Sequence, residues 1–169
     1  MISNLIRSPA TIKNLKSSIV YLKNPYNLAP KPTAIFNQQR FISIKRYTKE
    51  HEWVKYDDEN QIGTIGITDY AQKSLGDVVF VELPEESAAI ATGDQIGAVE
   101  SVKAASDIFA PVAGTITEVN SKLSDQANLL NKSPEDEGWI AKIKLSFPQE
   151  VENLLSEEAY KAHCEGEDH

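Results

Sequence analysis

The chain has 169 residues, 41% of them hydrophobic, and a formal net charge of −8. That is one domain of ordinary size with enough apolar material for a core, and no apolar run approaches the roughly 20 residues that cross a bilayer, so no membrane partner is expected. A single cysteine excludes an internal disulfide and, with it, the small disulfide-stapled folds.

Charge sets the first segment apart. Residues 1–49 hold nine Lys or Arg and no Asp or Glu, whereas the remainder holds eight Lys or Arg against 25 Asp or Glu. A basic, acid-free stretch rich in Ser, Asn and Gln reads as an organelle transit peptide. Arg7, Lys13, Lys16 and Lys23 punctuate apolar residues, and Ile12 to Leu22 can form an amphipathic helix with a basic face. Pro25, Pro30 and Pro32 then break any helix. No continuous apolar core follows the first charges, which separates this segment from a secretory signal. The reading assigns 1–47 to a disordered leader, cleaved between Arg40 and Thr48. It assigns 48–164 to one folded domain and 165–169 to an acidic tail. So acidic a body would repel phosphate backbones, so nucleic acid is not an expected partner. A basic arm for nucleic acid or acidic lipid is the weaker alternative for the leader.

Past the leader, Trp53 to Tyr56 alternates as a strand, Asp57 to Asn60 is a turn, and Gln61 to Ile67 is a second strand. A short helix follows, with Thr68 as N-cap, Asp69 at its positive end and Gly76 as its stop. Asp77 to Leu83 is apolar on both faces, which predicts a strand buried on both, ended by Pro84. Gly93-Asp94 is a turn. Gln95 to Val102, Ala105 to Phe109 and Gly114 to Val119 read as strands, with Pro111 interrupting, and Gly138 to Leu145 alternates cleanly. Ser146 with Gln149 resembles a capping box, and Val151, Leu154, Leu155 and Ala159 recur at helical spacing, predicting a helix over 150–163. His163, Cys164 and His169 fall in a solvated tail that lacks the ligands and rigid frame of a metal site. The fold class is all-β, mainly antiparallel, with short flanking helices including one at the C-terminus.

The inventory for catalysis is poor. No phosphate-cradling glycine loop, His-Glu-x-x-His, paired cysteines or Gly-x-Ser-x-Gly is present, and the chain has only three histidines. One segment carries chemistry: Val99-Glu100-Ser101-Val102-Lys103-Ala104-Ala105-Ser106. It joins two strand-like runs, so it reads as a hairpin. Lys103 is the only lysine between Lys73 and Lys122 and is followed by two small residues, the access a modifying enzyme needs. On its own, the same pattern fits a solvated surface lysine.

Glu100-Ser101-Val102-Lys103-Ala104 resembles the lipoylation site of glycine cleavage H proteins. Thr48-Lys49-Glu50-His51-Glu52-Trp53-Val54 resembles the opening of that family. Gly66 to Gln72 followed by Leu75 to Pro84 resembles its central signature. Asn131-Lys132-Ser133-Pro134 with Gly138-Trp139, and Ser156 to Tyr160, resemble its later loop and terminal helix. The match runs in order from about residue 47 to 164. The chain departs from the family at Glu135-Asp136-Glu137, at Ala127-Asn128 and at Ser87-Ala88, all positions that affect loop shape rather than the attachment site.

The resemblance implies a lipoyl-domain-like flattened barrel or sandwich with lipoic acid joined covalently to Lys103 on an exposed hairpin. It implies a non-catalytic carrier in the mitochondrial matrix. Its arm would receive the aminomethyl group of glycine from glycine decarboxylase, a pyridoxal phosphate enzyme. It would pass the one-carbon unit on at an aminomethyltransferase and be reoxidised by dihydrolipoamide dehydrogenase. The matching positions give Glu100 to recognition by the lipoyl-attaching enzyme. They give Glu52 and Asp107 to a cleft that holds the loaded arm, although both read equally well as surface acids.

Other readings are weaker. Lipoyl domains of 2-oxoacid dehydrogenases show Asp-Lys-Ala at the hairpin and sit in long chains with Pro/Ala linkers. Biotinyl domains flank their lysine with methionines. A hydrolase or transferase would need a nucleophile–base pair that is not visible. A cofactor-free interaction module, and a carrier that relays lipoyl groups to other proteins, complete the alternatives.

Overall fold

The structure is a computed structural model that describes residues 43–167, so the leader before Ser43 and the last two residues lie outside it. Strands β1 (Ser43–Tyr47), β2 (Glu52–Asp57) and β3 (Ile62–Ile67) form an antiparallel meander, with Ser43 opposite Asp57 and Tyr47 opposite Trp53. β1 falls inside the stretch that charge assigned to a disordered leader. The fold therefore begins before Thr48, because Tyr47 is an apolar anchor: it is buried with Trp53 and Tyr160, and its ring stacks on Tyr160 at 4.7 Å. The basic residues that suggested a leader have structural partners here. Lys45 Nζ lies 4.7 Å from the centre of the Trp53 ring and 2.6 Å from the Glu135 carboxylate.

Helix α1 (Asp69–Leu75) follows, as the sequence predicts. The Thr68 hydroxyl accepts the Ala71 N–H, and Gly76 ends the helix at φ +79°. β4 (Val78–Glu82) departs from expectation. Val78 and Val81 are buried, but Val79 and Phe80 are 58% and 51% exposed. A bulge between Val78 and Phe80 shifts the alternation, so two consecutive side chains face out. β5 (Ala89–Ile90), β6 (Gln95–Ser101), β7 (Ala105–Phe109), β8 (Gly114–Val119) and β9 (Ala141–Leu145) complete the strands, with short helices α2 (Lys122–Asp125) and α3 (Leu129–Lys132) between β8 and β9.

Two sheets result, one of six strands in the order β1-β2-β3-β9-β8-β5 and one of three in the order β4-β6-β7, every pairing antiparallel. This is the expected all-β core with small helices, arranged as two sheets rather than a closed barrel. Val54, Ile65, Val99, Ile108, Ile116 and Ile143 fill the space they share with Leu123 of α2 and Leu130 of α3. Each such buried aliphatic side chain contributes roughly 1.5–3 kcal/mol of transfer free energy.

The predicted helix over 150–163 breaks in two. Pro148–Asn153 is a 3-10 helix, Leu154 is extended, and Leu155 pairs with Tyr47 in both directions, at 2.8 and 3.0 Å. Only then does α4 (Glu157–Glu167) begin. Leu154 and Leu155 sit on helical spacing by coincidence: one packs on the main core and the other joins Trp139 against Tyr47, Trp53 and Tyr160. α4 also corrects the expected tail. Cys164 is half-buried against that aromatic cluster, and the helix runs through Glu165 to Glu167. Among the described residues no helix is long and apolar enough to cross a membrane.

Candidate functional site

The hairpin between β6 and β7 turns at Val102-Lys103-Ala104, all three exposed. Ser101 holds the turn. Its hydroxyl accepts the N–H groups of Lys103 (3.2 Å) and Ala104 (3.0 Å) and donates to the Ala104 carbonyl at 3.1 Å, while the Ser101 N–H reaches the same carbonyl at 2.7 Å. This is a side-chain-stabilised turn, and a serine two residues before a hairpin tip is the signal that marks it. Val102 N–H donates to the Asp77 carbonyl at 3.3 Å, which ties the tip to the start of β4.

A second tier fixes Asp77. Asn131 accepts the Val78 N–H at 2.9 Å and donates to the Gly76 carbonyl (2.9 Å) and to Gln72 Oε1 (3.0 Å). The end of α1, the start of β4 and α3 thus meet at one side chain. A Cβ on Gly76 would stand 3.1 Å from Lys103 Cε, so the lysine stem lies over the bare glycine. Val79, Phe80 and Val102 are three exposed apolar residues on the strands and turn around the tip. Glu100 is exposed on β6, opposite Ala105 on one side and Phe80 on the other.

The two acids expected in a cleft are in different settings. Glu52 is 3% exposed. Its Oε1 accepts the Phe109 N–H at 3.0 Å, and its Oε2 takes the Thr48 hydroxyl. It stands in the wall of a cleft of about 500 Å³ lined also by Thr48, Thr92, Phe109, Asn153 and Leu155. Asp107 is exposed on β7, accepts from Gln95 Nε2 at 2.7 Å, and is not among the residues lining that cleft. Thr48 and the Phe109 backbone, which hold Glu52, carry no signal of their own in the sequence.

Glu135, one of the departures from the resembled pattern, has clear work. Its carboxylate takes Lys45 on one oxygen and the Asp69 N–H at the start of α1 on the other, at 3.1 Å. An acid at a helix N-terminus is favoured by the exposed N–H groups there.

Lys103 thus stands exposed on a braced hairpin of a two-sheet scaffold. The family model described as "Glycine cleavage H-protein" matches residues 45–167. The chain is 48% identical over 123 residues to the glycine cleavage system H protein of Thermotoga maritima, covering 73% of this chain and 98% of that one. It is 52% identical over 123 residues to the mitochondrial glycine cleavage system H protein of Oryza sativa subsp. indica, covering 73% and 74%. A crystal structure of a glycine cleavage system H protein from Mycobacterium marinum superposes with a TM-score of 0.64 at 33% identity, covering 72% of this chain and 96% of that one. The chain belongs to the glycine cleavage H-protein family.

Proposed function

We propose that Lys103 is the residue to which lipoic acid is joined. The chain is a lipoyl carrier of the glycine cleavage system and a carrier subunit rather than a catalyst, as its family membership establishes. The observation that carries the assignment to Lys103 is its place at the exposed tip of a hairpin braced by Ser101 and Asp77.

The residues fit the group. An amide on Lys103 Nζ removes one charge and leaves the backbone bonds of the turn untouched, since those involve the main chain and Ser101. Bound there, lipoate supplies a disulfide able to accept the aminomethyl group of glycine. The protein supplies placement. Ser101, Asp77 and Asn131 hold the tip in one geometry, and Glu100 presents a carboxylate three residues away for the lipoyl-attaching enzyme. The cleft beside Glu52 shelters the loaded arm, and Asp107, exposed on β7 between the tip and Phe109 of that cleft, attracts the cationic amine on its way there. The partners are glycine decarboxylase, aminomethyltransferase and dihydrolipoamide dehydrogenase, and the acidic surface favours basic docking patches on them.

The basic segment before Ser43 is a mitochondrial targeting leader, and the carrier domain begins with β1. Its charge supports this, as does likeness to a relative named mitochondrial. The test is reconstitution with the three enzymes. Lipoylated chain supports release of carbon dioxide from glycine, and K103R does not while keeping its fold. Full activity in K103R would overturn the assignment.

A further inference from the structure

We propose that His51, His163 and Glu167 form a binding site for a divalent cation of the zinc class, clamping α4 to the turn that enters β2. The sequence places His163 in a tail and His51 more than a hundred residues away. The fold brings them together, with their rings 5.8 Å apart. His51 Nε2 lies 3.0 Å from Glu167 Oε2, and His163 Nε2 lies 3.5 Å from Glu167 Oε1. One ligand atom from each residue falls within 4.8 Å of the others. Zinc binds imidazole and carboxylate at ~2.0–2.1 Å in a tetrahedron, which sets its donors ~3.4 Å apart. Each histidine faces its own oxygen of the Glu167 carboxylate, and the set of one atom per residue is wider than that spacing, so the three side chains draw together around a bound cation.

The surroundings prepare these atoms. His51 Nδ1 is 2.8 Å from the Tyr160 hydroxyl, which is 2.7 Å from Thr68 Oγ1. With Nδ1–H donating to Tyr160 and Tyr160 donating to Thr68, the His51 ring presents the lone pair of Nε2 toward Glu167. An outer hydrogen bond of this kind orients metal-binding histidines. His163 and Glu167 are four residues apart on α4, the spacing that puts two ligands on one helix face. His163 Nε2 is also 3.0 Å from the Lys49 carbonyl. On metal binding the ring proton sits on Nδ1, Nε2 becomes a ligand, and the Lys49 oxygen or a water fills the fourth position. Two imidazoles and one carboxylate select zinc-class cations over calcium or magnesium, which take all-oxygen sites. The side chains of His51, His163 and Glu167 are 19%, 26% and 41% exposed, so a cation can enter.

The site joins α4 to the turn Thr48–Glu52, part of the wall of the cleft beside Glu52. It does not depend on Lys103. The test uses the untagged full-length chain carrying K103R, so that no lipoyl sulfur competes, stripped with chelator. Titration calorimetry with zinc chloride should show one zinc per chain at micromolar affinity or tighter, and Co²⁺ should give the visible spectrum of a tetrahedral nitrogen–oxygen centre. H163A and E167Q each lower affinity by more than tenfold with unchanged far-UV circular dichroism. H51N, chosen because Asn tolerates the left-handed backbone of His51 at φ +74°, does the same. H169A, outside the described residues, leaves it unchanged. Four results would overturn the site: no stoichiometric zinc, binding that survives H163A and E167Q, loss of binding in H169A, or a thiolate charge-transfer band in the Co²⁺ spectrum, which would assign the metal to Cys164.

Discussion

The Glu52 carboxylate accepts the Phe109 N–H at 3.0 Å, joining β2 of the six-stranded sheet to β7 of the three-stranded one. The same side chain takes the Thr48 hydroxyl, and Thr48 Oγ1 accepts the Glu52 N–H at 2.9 Å. Glu52 is therefore a latch between sheets as well as part of a cleft wall. E52A leaves the Phe109 N–H and the Thr48 hydroxyl without their acceptor in a nearly dry position, which costs about 1–3 kcal/mol. E52Q costs less, because the amide oxygen still accepts from Phe109. Urea denaturation of both variants checks this: equal stabilities for E52A and wild type would remove the latch.

Asn131 makes three hydrogen bonds, to Val78, Gly76 and Gln72. N131D replaces its two donated bonds with a carboxylate facing two acceptors and should destabilise the fold by about 2 kcal/mol. Because Val78 adjoins Asp77, which holds Val102, lipoyl attachment should slow more than in a variant of equal stability elsewhere. The comparison is attachment rate against denaturation midpoint.

Gly76 has φ +79° and ψ −152°, a region that side chains other than glycine's avoid. G76A should cost about 1–3 kcal/mol from backbone strain. The contact with Lys103 adds little, since the atom it meets is the far end of a flexible side chain. Thermal melts of G76A and of G76A/K103A test that division. The double variant should recover almost nothing.

Burial, with Glu135 and then Glu157 nearby, pushes the Tyr47 phenol up to about 12. The folded protein thus keeps a proton that the unfolded chain begins to release near 10. The stability Tyr47 contributes is complete below pH 10 and is lost as pH rises from there toward 12. Tyr160 acts in the same direction. Y47F should flatten, without abolishing, the alkaline fall in the urea midpoint. A fall of unchanged steepness would assign the loss to other groups.

Punctuation and motif made much of this legible. Thr68 and Gly76 bound α1 as their cap chemistry predicts, and Lys103 lies at a hairpin tip as its flanking strands imply. What escaped was set by contacts distant in sequence or by broken period. The bulge at Val78/Phe80 leaves no trace in a run that is apolar throughout, so Phe80 was expected inside. Lys45 and Arg46 biased Ser43–Tyr47 toward a leader, because charge cannot show that Leu155 pairs with Tyr47. Glu52 was picked out by resemblance as an arm-holding acid. Its bonds to Thr48 and Phe109 follow from the packing of the two sheets. The meeting of His51 with Tyr160, 109 residues on, was likewise invisible in the sequence.

Lys103 is assigned as the residue that bears the arm. Intact-mass analysis of the protein purified from its own cells, with peptide mapping across residues 99–109 and of the N-terminus, tests that assignment. A lipoyl adduct on Lys103, on a chain that has lost its basic leader and begins just before Ser43, is the predicted result. An unmodified Lys103 in cells able to make lipoate, or the adduct on another lysine, would contradict it.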